Sequence, residues 1–284
     1  VTTGRFNTAV GTGAGAKITT SENNTAIGYI SLDVNTTGYD NTTVGSQSMG
    51  SNTTGSNNTA VGTWALDANT TANDNTAVGA NALTANTTGV QNVGIGVSAL
   101  ASNTTATNNT AVGRHALKTS TTSSENTAIG SAALELMTTG SANTAVGHRA
   151  LEASTTASQN VAVGQRALYQ QTTGEKNTAL GWNAGGSITA ASFNTYVGQR
   201  AGDANSNSNN TAVGSESLSS NCGPENTAVG SNALLACTGA RNVGVGASAL
   251  VASTTGSSNV AIGAFALDAN TTGDDNVAIG YDAL

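Results

Sequence analysis

The chain has 284 residues, of which only 9% are charged and 4% aromatic, with 35 glycines and a single proline, Pro224. Nine basic and sixteen acidic residues give a net charge of −7 and are scattered singly, so the basic stripe that a nucleic-acid partner needs is missing. No stretch approaches the roughly 18 apolar residues of a membrane-spanning helix, and so sparse a supply of bulky side chains argues against an ordinary mixed core.

What the chain does contain is one phrase, repeated. Take the Asn of each "NTAVG"-like pentapeptide as position 0. Copies then begin at Asn7, Asn24, Asn41, Asn58, Asn75, Asn92, Asn109, Asn126, Asn143, Asn160, Asn177 and Asn194, each 17 residues after the last. Three 16-residue steps follow, to Asn210, Asn226 and Asn242, before the 17-residue step returns at Asn259 and Asn276. The consensus is N-T-A-V-G-x-x-A-L-x-x-N-T-T-G-x-x, with Gly at position 4 in all seventeen copies.

β-Branched enrichment and alternation predict a short strand over positions 0–4 of every copy, from 7–11 to 276–280. A second extended segment is expected around positions 7–10, and "NTTG" supplies the turn back. A unit of 17 residues is too short for a helix pair, so each copy reads as one coil of a parallel β-solenoid, with residues 1–284 forming one repeat domain. At about 4.8 Å per coil the expected rod is roughly 80 Å long.

All twenty-five Lys, Arg, Asp and Glu residues fall at positions 5, 6, 9, 10, 15 and 16, and the other positions accept no charge. Aliphatic positions 3 and 8, with Thr or Val at position 1, are the expected interior. The Asn residues at positions 0 and 11 are expected to stack as amide ladders. Position 2 should then face outward, yet it is small in fifteen copies: Ala9, Ala26, Ala60, Ala77, Gly94, Ala111, Ala128, Ala145, Ala162, Ala179, Ala212, Ala228, Gly244, Ala261 and Ala278. Such a smooth stripe predicts close approach by a second copy, most simply in a homotrimer around the long axis.

The phrases "NTAVGTWAL", "NTAIGSAAL", "NVAVGQRAL" and "NVAIGAFAL" resemble the head repeats of YadA-type trimeric autotransporter adhesins and related tail-fibre repeats of phages and bacteria. The resemblance covers essentially the whole chain, although the unit here is longer than in the adhesin heads. It implies a left-handed β-roll, trimeric and extracellular, on a cell or virion surface, acting as an adhesive or spacer fibre of which this chain is a segment.

Site chemistry is thin. "GTGAG" at residues 11–15 imitates a phosphate loop, but no helical pattern follows it. His115 and His148 lie two coils apart, about 10 Å, too far to share a metal. The corner acids Asp40, Asp74, Glu125, Glu225, Asp274 and Asp275 are not on consecutive coils and lack a calcium-binding repeat. Neither a catalytic constellation nor a cofactor or metal site is therefore expected. Cys222 and Cys237 sit on consecutive shortened coils, where stacking brings equivalent residues within disulfide range, so a bridge is feasible. Tyr29, Trp64, Trp182, Phe265 and Tyr281, at positions 5 and 6, are candidates for contact with a host-surface glycan or protein receptor. Alternative readings are ice binding, from the Thr pair at positions 12 and 13, and a polysaccharide-degrading tailspike, which would need a carboxylate cluster that the pattern lacks.

Overall fold

A computed structural model describes residues 3–284. Those residues contain seventeen three-residue strands and no helix. The chain divides into two compact units, Val1–Ala142 and Asn143–Leu284. In the first, strands β1 (Thr8–Val10) to β8 (Thr127–Ile129) stack in parallel, each residue opposite the one 17 positions further on. In the second, β9 (Thr144–Val146) to β17 (Val277–Ile279) do the same. The step drops to 16 between β12 (Thr195–Val197), β13 (Thr211–Val213), β14 (Thr227–Val229) and β15 (Val243–Val245), yet equivalent positions stay paired. The missing residue is therefore taken out of the corner and not out of the strand.

Strands cover positions 1–3, shorter than expected, because Gly at position 4 turns the chain. Its φ lies between +126° and +139° in every copy, a region open to glycine. Close approach adds a second constraint: a Cβ on Gly62 would lie 2.6 Å from the Gly79 carbonyl oxygen of the next coil. Both reasons hold coil after coil, which accounts for seventeen glycines in register.

Among the described residues no coil has a second strand. Positions 5–10 form two successive turns instead, closed in the fourth coil by Ala65 N–H to Gly62 O at 3.3 Å and Asn69 N–H to Leu66 O at 3.1 Å. Trp64 and Leu66 carry positive φ, +57° and +52°, and so do the residues at the same two places in the other coils. A non-glycine residue pays about 1–2 kcal/mol for this conformation. Stacking holds it there, since Trp64 N–H donates back to Ser46 O and Leu66 N–H donates forward to Ala82 O.

The strand faces are the reverse of the expectation. Position 2 points into the coil: Ala26, Ala60, Ala77, Gly94, Ala111 and Ala128 are buried in the first unit. Ala145, Ala162, Ala179, Ala212, Ala228, Gly244, Ala261 and Ala278 are buried in the second, while Ala9, on the first strand, is exposed. A stripe enclosed in this way cannot be an interface between copies. The physical reason is the narrowness of the coil. Leu at position 8 fills most of the interior, and opposite it there is room for one methyl: a Cβ on Gly94 would come within 3.3 Å of Leu83 Cδ1.

Two exceptions prove the packing rule. Thr43, at position 2, is buried with its hydroxyl 2.7 Å from that of Ser31 and donating to Thr25 O at 3.1 Å. Tyr196, also at position 2, is fully buried, and position 8 is glycine in its own coil and in the one before, Gly202 and Gly185. A Cβ on Gly202 would fall 2.3 Å from Tyr196 Cε1, and one on Gly185 would be 2.9 Å from its Cδ2. One ring thus replaces two leucines.

The expected amide ladder at position 0 is present in each unit. Asn58 N–H and Nδ2 both donate to Asn41 Oδ1, at 3.0 and 3.1 Å, and Nδ2 also donates across the coil to Ala72 O at 2.9 Å. The Asn at position 0 thereby satisfies a buried backbone amide in the coil itself and ties it to its neighbour.

Candidate functional site

With position 2 inside, positions 1 and 3 form the outer strand face. Position 3 is Val, Ile or Leu in all seventeen copies, and several are more than a third exposed: Ile95 38%, Ile129 41%, Leu180 41% and Ile262 41%. Beside them runs a row of Thr, replaced by Val at five copies, and no charged residue interrupts either row. Within each unit this makes a continuous ridge of aliphatic side chains and threonine methyls at coil-to-coil spacing. Exposed apolar rows of this kind mark interaction surfaces.

A second, polar edge is built from the threonines at position 12. Thr36, Thr53, Thr70, Thr87 and Thr104 each donate Oγ1–H to the carbonyl of the residue one coil on, at 3.0–3.3 Å between oxygens. Their hydroxyl protons are committed to the chain, and the exposed partner at position 13 carries the free hydroxyl.

Tyr29, Trp64, Trp182, Phe265 and Tyr281 are all exposed on the turns. The fold brings only one pair together: Phe265 and Tyr281 meet edge to face with ring centroids 5.9 Å apart. Trp64 is tied to Gln47 on the preceding coil through its ring N–H.

Charges at positions 6 and 9 face one another across the turn, a relation that the repeat numbering contains but that strand alternation hides. His115 Nδ1 lies 3.2 Å from Glu135 Oε1, and Arg200 Nε lies 3.2 Å from Asp203 Oδ2. Arg149 Nη2 donates to Glu152 Oε1 at 3.0 Å. The guanidinium groups of Arg149 and Arg166 both stand over the Tyr169 ring, at 4.8 and 4.5 Å. His148 is exposed.

The corner acids Asp40, Asp74, Glu125, Glu225, Asp274 and Asp275 are all exposed. Asp274 Oδ1 accepts the Ser257 backbone N–H at 2.7 Å, the role that Asn73 Oδ1 performs for Ser56 N–H. Among the described residues no group of three His, Cys, Asp or Glu side chains is placed to hold a metal, and no helix is long and apolar enough to cross a membrane. Gly11, Gly13 and Gly15 of "GTGAG" are turn residues with φ of +126°, +75° and +57°, at positions 4, 6 and 8. Cys222 and Cys237 are both buried and stand as free thiols, not as a bridge. No family model matches the chain, and no characterised protein sequence matches it.

Proposed function

We propose that this chain is a structural segment of an extracellular fibre, a trimeric β-roll that provides reach, stiffness and attachment at a cell or virion surface. The observation that carries the reading is the uncharged Thr/Val–Val/Ile ridge on the outer strand face of each unit. This face carries no charge in any copy and keeps aliphatic side chains in water along each unit. Covering it with the same face of other copies removes that apolar area from solvent at about 25 cal/mol per Å². A closed, symmetric assembly buries one such ridge per chain, and a trimer closes around the long axis. The charged and aromatic turns then remain on the outside, where a glycan or protein receptor can meet them.

The test is the mass in solution, read by light scattering behind size exclusion. Three times the mass of one chain is expected. Replacing Val61, Val78 and Ile95 together by Asp should give monomers that keep the β-type circular dichroism of the parent. A parent that runs as a monodisperse monomer overturns the trimer.

The same ridge lends some support to ice binding, since Thr and Val in two rows at coil spacing form a flat, regular, weakly hydrated surface. The threonines at position 12, the first focus of that reading, support it less because their hydroxyl protons bond within the chain. Thermal hysteresis of the free protein would favour ice binding, and its absence would leave the fibre reading standing.

A further inference from the structure

Two of the three shortened coils of the second unit set the chain's only cysteines against each other. Cys237 stands at position 11, the inward corner place that Asn52 and Asn69 hold in the first unit. Cys222 reaches the same corner from the coil before, whose corner has lost one residue. Both side chains are fully buried. They converge on one peptide group: the Leu234 carbonyl accepts the Cys222 S–H at 3.6 Å and the Cys237 backbone N–H at 3.4 Å. Cys237 Sγ accepts from Asn242 Nδ2 at 3.7 Å, and its S–H donates to Gly239 O at 3.3 Å.

The members of the pair differ. Burial pushes the Cys222 thiol up, so it stays protonated, while the neighbouring Cys222 side chain and the Asn242 amide, which donates to Cys237 Sγ, bring the Cys237 thiol down. Nearby, Tyr196 Oη and Asn205 Nδ2 are buried without hydrogen-bond partners, and the position 11 amide ladder of the first unit has no counterpart here.

We propose that Cys222 and Cys237 close into an interior coil-to-coil disulfide when the protein meets a small-molecule disulfide, and that this bridge locks the shortened coils. Cys237, as thiolate, attacks one sulfur of the oxidant; a mixed disulfide forms and the first oxidant thiolate leaves, taking up the proton that Cys237 lost. Cys222 then gives up its proton and attacks the Cys237 sulfur. The Cys222–Cys237 bond forms, and the second oxidant thiolate departs with that proton. One external disulfide is reduced to two thiols while two cysteines are oxidised to one bridge. Because the pair is buried, exchange waits on local opening of the corner at Gly223 and Pro224.

The experiment uses the full chain incubated with oxidised glutathione, then denatured, titrated for thiols and weighed intact. Loss of both thiols is expected, with a mass lower by two hydrogens, a peptide linking Cys222 to Cys237 and no dimer. The oxidised protein should melt about 5–10 °C above the same protein in dithiothreitol, and the C222S/C237S variant should melt at one temperature under both conditions. Persistence of both thiols, a stable glutathione adduct, or bridging between chains would overturn the proposal. A bridge that forms with no change in melting would overturn the locking role.

Discussion

Position 11 is where the two units part company. In the first, Asn35, Asn52, Asn69, Asn86 and Asn103 make an unbroken inner ladder: each Nδ2 from Asn52 on donates to the Oδ1 of the coil before, at 2.8–3.1 Å. Each also donates to the carbonyl three residues on, which closes its own corner. The ladder stops where Ser120 follows and pairs with Ser123 instead, leaving Asn103 Oδ1 without a partner. In the second unit the same place holds Ser154, Gln171, Ile188, Asn205, Asn221, Cys237, Ser253 and Asn270. Four buried polar atoms at this place have no partner, Ser154 Oγ, Gln171 Oε1, Asn205 Nδ2 and Ser253 Oγ, and elsewhere in the unit so do Arg166 Nε and Tyr196 Oη. Yet the strand register is as regular in the second unit as in the first. Register therefore rests on position 0 and on the Gly at position 4, and position 11 only adds to it.

The largest expected effect comes from the one place where the second unit repacks its interior. Tyr196→Ala should cost about 3–5 kcal/mol, because a buried ring is lost opposite two glycines that cannot fill the space. Adding Gly185→Leu and Gly202→Leu should recover most of it, since both glycines already hold the left-handed backbone that leucine adopts at this position. Urea unfolding of the single and triple variants checks this. A triple variant no better than the single one would mean that the exchange of one ring for two leucines is not what balances these coils.

Next come the amides. Asn75→Ala removes a side chain that takes one backbone N–H and gives two further bonds, and about 2–3 kcal/mol is expected. Asn177→Ala, its counterpart in the second unit, should cost the same. At position 11 the units should diverge: Asn69→Ala loses about 1–2 kcal/mol, whereas Ser154→Ala is neutral or slightly stabilising because its hydroxyl has no partner to lose. Equal costs at Asn69 and Ser154 would break the comparison.

The repeat, the one-unit-per-coil parallel stack, the inward Leu at position 8 and the asparagine ladders were legible in the residues, whereas the second extended segment expected at positions 7–10 is a pair of turns. The faces of the strand were not. Alternation says that Val61 and Ala60 point to opposite sides but not which side is in, and hydrophobicity favours Val. Only the width of the coil reverses that choice, because Leu66 leaves space for Ala60 and no more. The turns at positions 5–10 were hidden for a different reason. Left-handed leucine, as at Leu66, is forced by stacking and has no local propensity behind it. The glycines at position 8 in Gly15, Gly185 and Gly202 were the available signal. The candidate recognition residues were correctly placed on the exposed turns, but sequence position gave no means of knowing that Phe265 and Tyr281 touch while the others stand apart.

Two smaller effects sharpen the same contrast. Tyr196→Phe should stabilise the second unit by about 1 kcal/mol, since it deletes a buried hydroxyl that has no partner while keeping the ring; thermal melting reads it. In the first unit, burial raises the Asp67 carboxyl above its usual range and a backbone hydrogen bond from Gly50 partly offsets this. A carboxyl raised in the folded state favours folding in acid and loses that advantage as pH climbs through its folded value. Asp67→Asn should therefore add on the order of 0.5 kcal/mol at neutral pH, after solvent screening, and nothing at pH values below the carboxyl's range. A gain that is the same in acid and at neutrality would rule out titration as its cause.

The 16-residue coils carry one more lesson. Because β12 to β15 remain in phase although their coils are a residue short, the stack counts asparagines and glycines and is indifferent to the length of chain between them. The corner from position 12 to position 14 is consequently a built-in insertion point, where a loop, an epitope or a labelled residue could be grafted onto a chosen coil without shifting the coils on either side.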